Sequence, residues 1–407
     1  MSDPIKPILV TKRQVFYIPG YDPIHPRRYR ELYRTQSAQQ ARISGYGISQ
    51  TPKRDAGPYG WHVAGQIDGT HTDADIDVLL WSDIVRDSMK TSIPATYWQL
   101  VRTAWTYISS GALRRLMWLR KGPVIAALYP IGMLLLQLVL AVGLGWVSYR
   151  FGAAFGTMGQ IAGAAAGLGL AIALLTWFKS KDNKVFAHYL MHDYAFSARW
   201  NGANPAALET RMAEFGDTIA AAMTTDVDEV LVVGHSSGAH LAVSILADLQ
   251  RDGRVPDHGP RLGFLSLGQV VPMMSFLPDA HRLRGDLMHL GAQDQSTWVD
   301  VTAPGDGCAF ALCDPVAVSG VADADTKWPL VFSAAFTQTL KPETWKALRW
   351  RFFRLHFQYL CAFDNPRDYD YFQITAGPVT LADRFRNRAP SKSKISIAAS
   401  PHTSITQ

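Results

Sequence analysis

Residues 228–244 read Asp-Glu-Val-Leu-Val-Val-Gly-His-Ser-Ser-Gly-Ala-His-Leu-Ala-Val-Ser. An apolar, β-branched run at 230–233 ends at Gly234-His235-Ser236-Ser237-Gly238, and a helical pattern follows with Leu241, Ile245 and Leu249 on one face. This is strand, tight turn, helix, with Gly-x-Ser-x-Gly spacing across the turn. A serine on such a turn is pushed out over the end of a sheet, where a base can reach it, and the N–H groups that open the helix can hold a developing oxyanion. At ~7% usage for Gly and Ser, the bare pattern should arise by chance roughly 0.1 times in a chain of this length. Phosphate loops want Gly-x-Gly-x-x-Gly or a Gly-Lys-Ser/Thr ending. Neither is present, so a nucleophile is favoured over a phosphate cradle.

The stretch resembles the nucleophile elbow of the α/β-hydrolase superfamily. That resemblance implies an α/β fold, a mostly parallel sheet flanked by helices, and a triad in the order serine, acid, histidine. It implies Ser236 as nucleophile and the Ser237 N–H as one oxyanion donor. In that superfamily a loop after an early strand supplies the second donor; Gly20-Tyr21, after the apolar residues 15–19, looks like that loop, with the Tyr21 N–H as the candidate.

The acid is expected on a loop after a strand downstream of Ser236. Residues 298–302 read as that strand and 303–307 as its loop, with Asp306 between two glycines. Asp306 is the first choice, Asp300 within the strand the alternative, and Asp314 before Pro315 reads as a turn residue. Only His356 and His402 follow the acid, and His402 falls in a Ser-, Lys- and Thr-rich tail. His356, in an apolar setting at the start of a helix, is therefore the expected base.

Other polar groups are read as structural. His188 and His192 share a helix face, but Tyr189 stands where a zinc protease needs Glu, which leaves helix-surface or interface residues. Asp73, Asp75 and Asp77 alternate along one strand face without the Gly and terminal Glu of a calcium loop, which suggests a solvated strand edge. His235 and His240 pack beside the nucleophile. Cys308, Cys313 and Cys361 show neither a disulfide framework nor a metal spacing. No cofactor and no metal are expected.

The elements that must carry these residues alternate as in an α/β domain. Strands are expected at 15–19, 59–67, 76–85, 230–233, 262–267, 298–302 and 328–336, with 59–67 and 76–85 paired across Asp68-Gly69. Helices are expected at 26–42, 97–119, 185–200 and 205–223. The helix at 97–119 carries Trp98, Trp105 and Trp118 and suits a membrane surface. The tail at 388–407 is expected to be disordered.

Two uncharged stretches, 123–149 and 151–178, interrupt the domain, with Arg150 at the turn between them. Each exceeds the ~20 apolar residues that cross a bilayer. Gly152, Gly156, Gly159, Gly163 and Gly167 would let two helices approach closely. Arg114, Arg115, Arg120 and Lys121 precede the pair, and Lys179, Lys181 and Lys184 follow it, so both flanks should stay cytoplasmic. Residues 1–13 hold no apolar stretch resembling a signal peptide. The net charge of +6 gathers partly beside the spans and suits anionic lipid head groups. No basic stripe with interleaved aromatics points to nucleic acid.

The chain thus divides into 1–120 and 181–387 as the two parts of one α/β domain, 121–180 as a membrane hairpin that docks it, and the tail. The expected activity is a membrane-anchored serine hydrolase acting on an ester or thioester of an amphipathic acyl substrate. An acyltransferase with the same triad and a non-catalytic membrane scaffold are the alternatives.

Overall fold

The computed structural model describes residues 9–53 and 57–406. β1 (Lys12–Ile18) is the first element among the described residues, followed by α1 (Arg27–Ser44), β2 (Gly47–Pro52), β3 (Gly60–Ile67) and β4 (Thr70–Val78). Helices α2 (Ser82–Ser88), α3 (Ile93–Ser109) and α4 (Ala112–Leu119) lead to the long pair α5 (Lys121–Ala153) and α6 (Gly156–Ser180). The short α7 (Asp182–Val185), α8 (Ala187–Ala198) and α9 (Ala206–Ala222) return the chain to β5 (Glu229–His235) and α10 (Gly238–Arg251). β6 (Arg261–Leu267), β7 (Thr297–Thr302) and β8 (Leu330–Ser333) complete an eight-stranded sheet in the order β2-β3-β4-β1-β5-β6-β7-β8. It is parallel from β4 to β8 and antiparallel only at the β2-β3-β4 edge.

β5 is buried along its whole length, as a parallel strand covered on both faces must be. Val15, Tyr17, Leu231 and Val233 face one core with Phe336, Tyr359 and Phe372. Phe16, Ile18, Val230 and Val232 face the other, against Met212 and Phe215 of α9 and Leu241 and Ile245 of α10. The buried Arg13–Glu229 pair, 2.6 Å apart, ties β1 to β5, and Arg13 also donates to the carbonyls of Gly377 and Val379.

The pairing across Asp68-Gly69 is present, with Ile67 opposite Thr70 and both turn residues at positive φ. The second strand is Thr70–Val78, however, not 76–85. After it the apolar run bends into α2, because Leu79, Trp81 and Val85 pack into the α9–α10 core and the Trp81 indole donates to the Pro19 carbonyl. The expected helix at 97–119 is two helices, broken at Gly111 with φ 75°. On α3, Trp98 and Trp105 are 67% and 71% exposed. Asp73, Asp75 and Asp77 do share a face, but β4 lies between β3 and β1 rather than at an edge, and Asp77 is buried against the Lys53 ammonium.

The tail is ordered along the surface rather than disordered. The Ser391 N–H donates to the Val331 carbonyl and the Ile395 N–H to the Leu312 carbonyl, and Ala399 is buried. The His402 ring donates to the Ser110 carbonyl.

Helices α5 and α6 are both long and apolar enough to cross a membrane. They turn at residues 154–155, beyond Arg150, which lies in the last turn of α5 near the Trp146 ring. Their contact is backbone against backbone: a Cβ on Gly152 would sit 2.2 Å from the Gly159 carbonyl oxygen, and one on Gly167 2.6 Å from that of Gly145. The first half of α5 is held by the α/β domain, with Val124 and Leu134 buried and the Tyr97 hydroxyl donating to the Leu134 carbonyl.

Candidate active site

β5 runs straight into the turn at 234–238, where Ser236 adopts φ 57°. A non-glycine residue in this region costs on the order of 1–3 kcal/mol, and its surroundings must hold it there. The Ser236 N–H donates to the Leu267 carbonyl at the end of β6, and the Ala239 N–H donates to the Ser236 carbonyl. The flanking glycines are required by backbone contact. A Cβ on Gly238 would lie 2.1 Å from the Ile18 carbonyl oxygen, and one on Gly234 2.7 Å from the Ala239 Cα. Gly20 closes against the same serine, since a Cβ there would meet the Ser236 Cβ at 2.9 Å. The Gly20-Tyr21 loop and the start of α10 therefore flank Ser236, and neither the Tyr21 nor the Ser237 N–H has a protein acceptor among the described residues.

Fifty residues of chain separate Asp306 from His356, yet their side chains meet. His356 Nδ1 lies 2.7 Å from Asp306 Oδ2, both residues being buried. A carboxylate only accepts, so Nδ1 carries the proton and Nε2 is left with its lone pair. His356 Nε2 is buried and has no hydrogen-bond partner among the described residues. Asp306 also accepts from the Tyr359 hydroxyl at 3.0 Å and the Cys308 N–H at 2.9 Å. Burial alone would raise its carboxyl; the His356 imidazole, with the hydrogen bonds from His356, Cys308 and Tyr359, outweighs burial and holds it below the ordinary value.

His235 supports the imidazole from behind. Its Nε2–H donates to the His356 carbonyl at 3.0 Å, which leaves Nδ1 to accept from the Tyr17 hydroxyl at 3.3 Å. Burial, then the neighbouring His356, push its pKa down to about 3, so the ring stays neutral.

Ser236, His356, Tyr21 and Ser237 line one cavity of about 480 Å³, within the range of small-molecule sites. No hydrogen bond joins Ser236 Oγ to His356 Nε2 among the described residues; such contacts often tighten only around a substrate. His240 lines the same cavity, its pKa lowered to about 4 by burial. Pro123 at the start of α5, Asp182 and Asn183 of α7, and Phe186 complete one wall, so the base of the long helix pair borders the site.

The alternatives lie elsewhere. Asp300 stays inside β7 with its carboxyl 2.6 Å from Ser266 Oγ, and burial pushes its pKa up to about 8. Asp314 caps a short helix by accepting from the Val316 and Ala317 N–H groups. His188 and His192 are buried between α8 and its neighbours rather than at a helix surface, and burial lowers both, His192 to about 4. Asp306, Cys308 and His356 bring one potential ligand atom each within 4.8 Å of one another, the one such group among the described residues. Hydrogen bonding already uses the Asp306 and His356 atoms, and burial raises the Cys308 thiol well above its ordinary pKa, so the donor set fits a proton relay better than a metal.

No protein-family model, curated protein or solved structure matches this chain. Residue geometry therefore carries the functional reading by itself. Sequence reasoning read His235 only as packing beside the nucleophile and gave Tyr359 and Asp193 no role. Tyr359 had a visible signal, three residues after His356 in an aromatic run; the packing of His235 under the imidazole and the cavity position of Asp193 on α8 had none.

Proposed function

We propose that the chain is a serine hydrolase of the α/β-hydrolase type, held at a membrane by α5 and α6. The observation that carries the reading is a positive-φ serine at a strand-to-helix turn sharing a cavity with an imidazole whose Nε2 is free and whose Nδ1–H is fixed by a buried carboxylate. In this reading His356 Nε2 takes the Ser236 proton as Oγ attacks an acyl carbonyl. The Ser237 and Tyr21 N–H groups receive the oxyanion, and the proton passes to the departing alcohol or thiol. Water, or a second alcohol in the acyl-transfer variant, then releases the acyl group.

The membrane anchor is supported by side chains with nowhere else to go. Val139, Val142, Trp146, Phe151, Met158, Ile161, Leu168 and Ile172 are all more than half exposed on the long pair. Each such side chain left in water forgoes roughly 1.5–3 kcal/mol of burial. Basic residues on both flanks favour a cytoplasmic active site and cytoplasmic termini. With the cavity bordered by the base of the pair, an amphipathic acyl ester or thioester is the substrate class that suits the position.

The test is labelling of the membrane fraction with a fluorophosphonate probe. Labelling of the wild type that disappears in Ser236→Ala supports the reading. Labelling that survives the substitution overturns the nucleophile, and a wild type that never labels favours a non-catalytic scaffold.

A further inference from the structure

Asp193 projects from α8 into the same cavity as Ser236 and His356, and it has no hydrogen bond or ion pair among the described residues. Every other carboxyl lining the cavity is already engaged. Asp22 accepts from the Tyr29 hydroxyl and pairs with Arg28, and Asp182 accepts from the His188 and Tyr189 N–H groups. The groups whose charge reaches Asp193, or that its charge reaches, are His356, Tyr21 from the loop after β1, Tyr107 of α3, Tyr189 and Tyr194 of α8, and Cys308 from the loop after β7. None is a lysine or arginine. The imidazole proton is committed to Asp306. Arg28, the one lysine or arginine lining the cavity among the described residues, lies over the Phe357 ring at 4.6 Å.

Asp193 is half-buried at the cavity wall, and a carboxylate partly withdrawn from water with no lysine or arginine beside it is costly. Aromatic rings line the same cavity in a connected series: Tyr21 and Tyr189 centroids are 6.1 Å apart, Tyr189 and Phe353 5.9 Å, and Phe186 and Phe353 4.9 Å. A carboxylate among aromatic faces is the setting that recognises ammonium and quaternary ammonium groups.

We propose that Asp193 is a specificity-determining contact that selects acyl esters whose alcohol portion carries a positive charge. The ammonium group lies between the Asp193 carboxylate and the half-buried rings of Tyr189 and Phe353, and the ester carbonyl reaches Ser236. A neutral hydroxyl would answer the hydrogen bond but not the charge. The proposal rests on the hydrolase reading for the position of the ester, and not for the capture of the cation.

The experiment has two arms, so that the two readings fail separately. In the binding arm, full-length Ser236→Ala protein in neutral detergent is titrated calorimetrically with octyltrimethylammonium and with its neutral tert-butyl analogue. The cation should bind about tenfold or more tighter than the neutral analogue, and Asp193→Asn in the same background should remove that advantage. Asp257→Asn, on the exposed surface, should leave both affinities unchanged. Equal affinity for the cation with and without Asp193→Asn, in protein of unchanged melting temperature, overturns the proposal; should Asp193→Asn not fold, equal binding of cation and neutral analogue by Ser236→Ala alone does the same. Burial raises the Asp193 pKa to about 7, so the cation's advantage should shrink as pH falls through that value and show no such step in Asp193→Asn. In the kinetic arm, octanoylcholine and 3,3-dimethylbutyl octanoate are compared by kcat/KM in wild type and Asp193→Asn. A preference for the choline ester that falls about tenfold in the variant supports the proposal, and an unchanged ratio overturns it. A cation that binds through Asp193 while neither ester is cleaved sinks the hydrolase reading and leaves the cation site standing.

Discussion

The two sides of the site are built by different means. The serine side is local: seven residues of β5, a turn and the start of α10 place Ser236, and backbone atoms 2.1–2.8 Å from any added Cβ exclude other residues at Gly234 and Gly238. The relay side is assembled from two segments fifty residues apart, and side-chain hydrogen bonds among Asp306, His356, Tyr359 and His235 hold it. A motif enforced by backbone contact can only be lost together with the fold. A relay enforced by side chains can be lost with the fold intact.

Replacing His356 by Ala or Asp306 by Asn tests that contrast most strongly. Each should lower turnover by roughly 10⁴ with the melting temperature nearly unchanged, and combining either with Ser236→Ala should add little. A variant that melts early instead would make His356 a core residue and dissolve the contrast. Gly238→Ala should break the other side in the opposite way. Its Cβ cannot coexist with the Ile18 carbonyl, so a loss of about 3 kcal/mol or more of stability is expected, read as a large drop in melting temperature.

Tyr359→Phe sharpens the relay. It removes one of the hydrogen bonds on Asp306 and should cost about 1 kcal/mol, a fall of roughly fivefold in kcat/KM with the fold kept. The smallest effect belongs to Asp300→Asn, which should leave hydrolysis near wild type; a dead Asp300→Asn with an active Asp306→Asn would exchange the two acids. Asp300 also has a signature in stability. Its folded pKa, about 8, lies above the unfolded value, so the folded state keeps a proton that the unfolded state has lost. The wild type should therefore lose stability as pH rises from about 4 to 8, and Asp300→Asn should flatten that part of the curve, as followed by thermal melts across that range.

Legibility in the sequence follows the same division. The elbow could be read because strand, turn and helix are consecutive, and Asp306 because glycines bracket it on a loop after a strand. His356 emerged from chain order, without any sign that His235 would hold it from below. Residues 79–85 misled because an apolar run suits strand and helix alike, and the packing of Leu79, Trp81 and Val85 with the Trp81 contact to Pro19 decides. The tail misled because it docks through backbone hydrogen bonds, which leave no mark on composition. β2 was passed over because a polar edge strand such as Gly47–Pro52 has no alternating apolar face.

The strand order sets a timetable for synthesis. β1 lies between β4 and β5, yet the ribosome makes β4 early and β5 only about 150 residues later, after the long pair. At 5–20 residues per second, one edge of β1 and the apolar face of Val15 and Tyr17 wait unpartnered for roughly 8–30 s. Throughout that interval the nascent chain carries an open, hydrophobic strand edge of the kind that recruits foreign strands, so its early life depends on being shielded until β5 arrives.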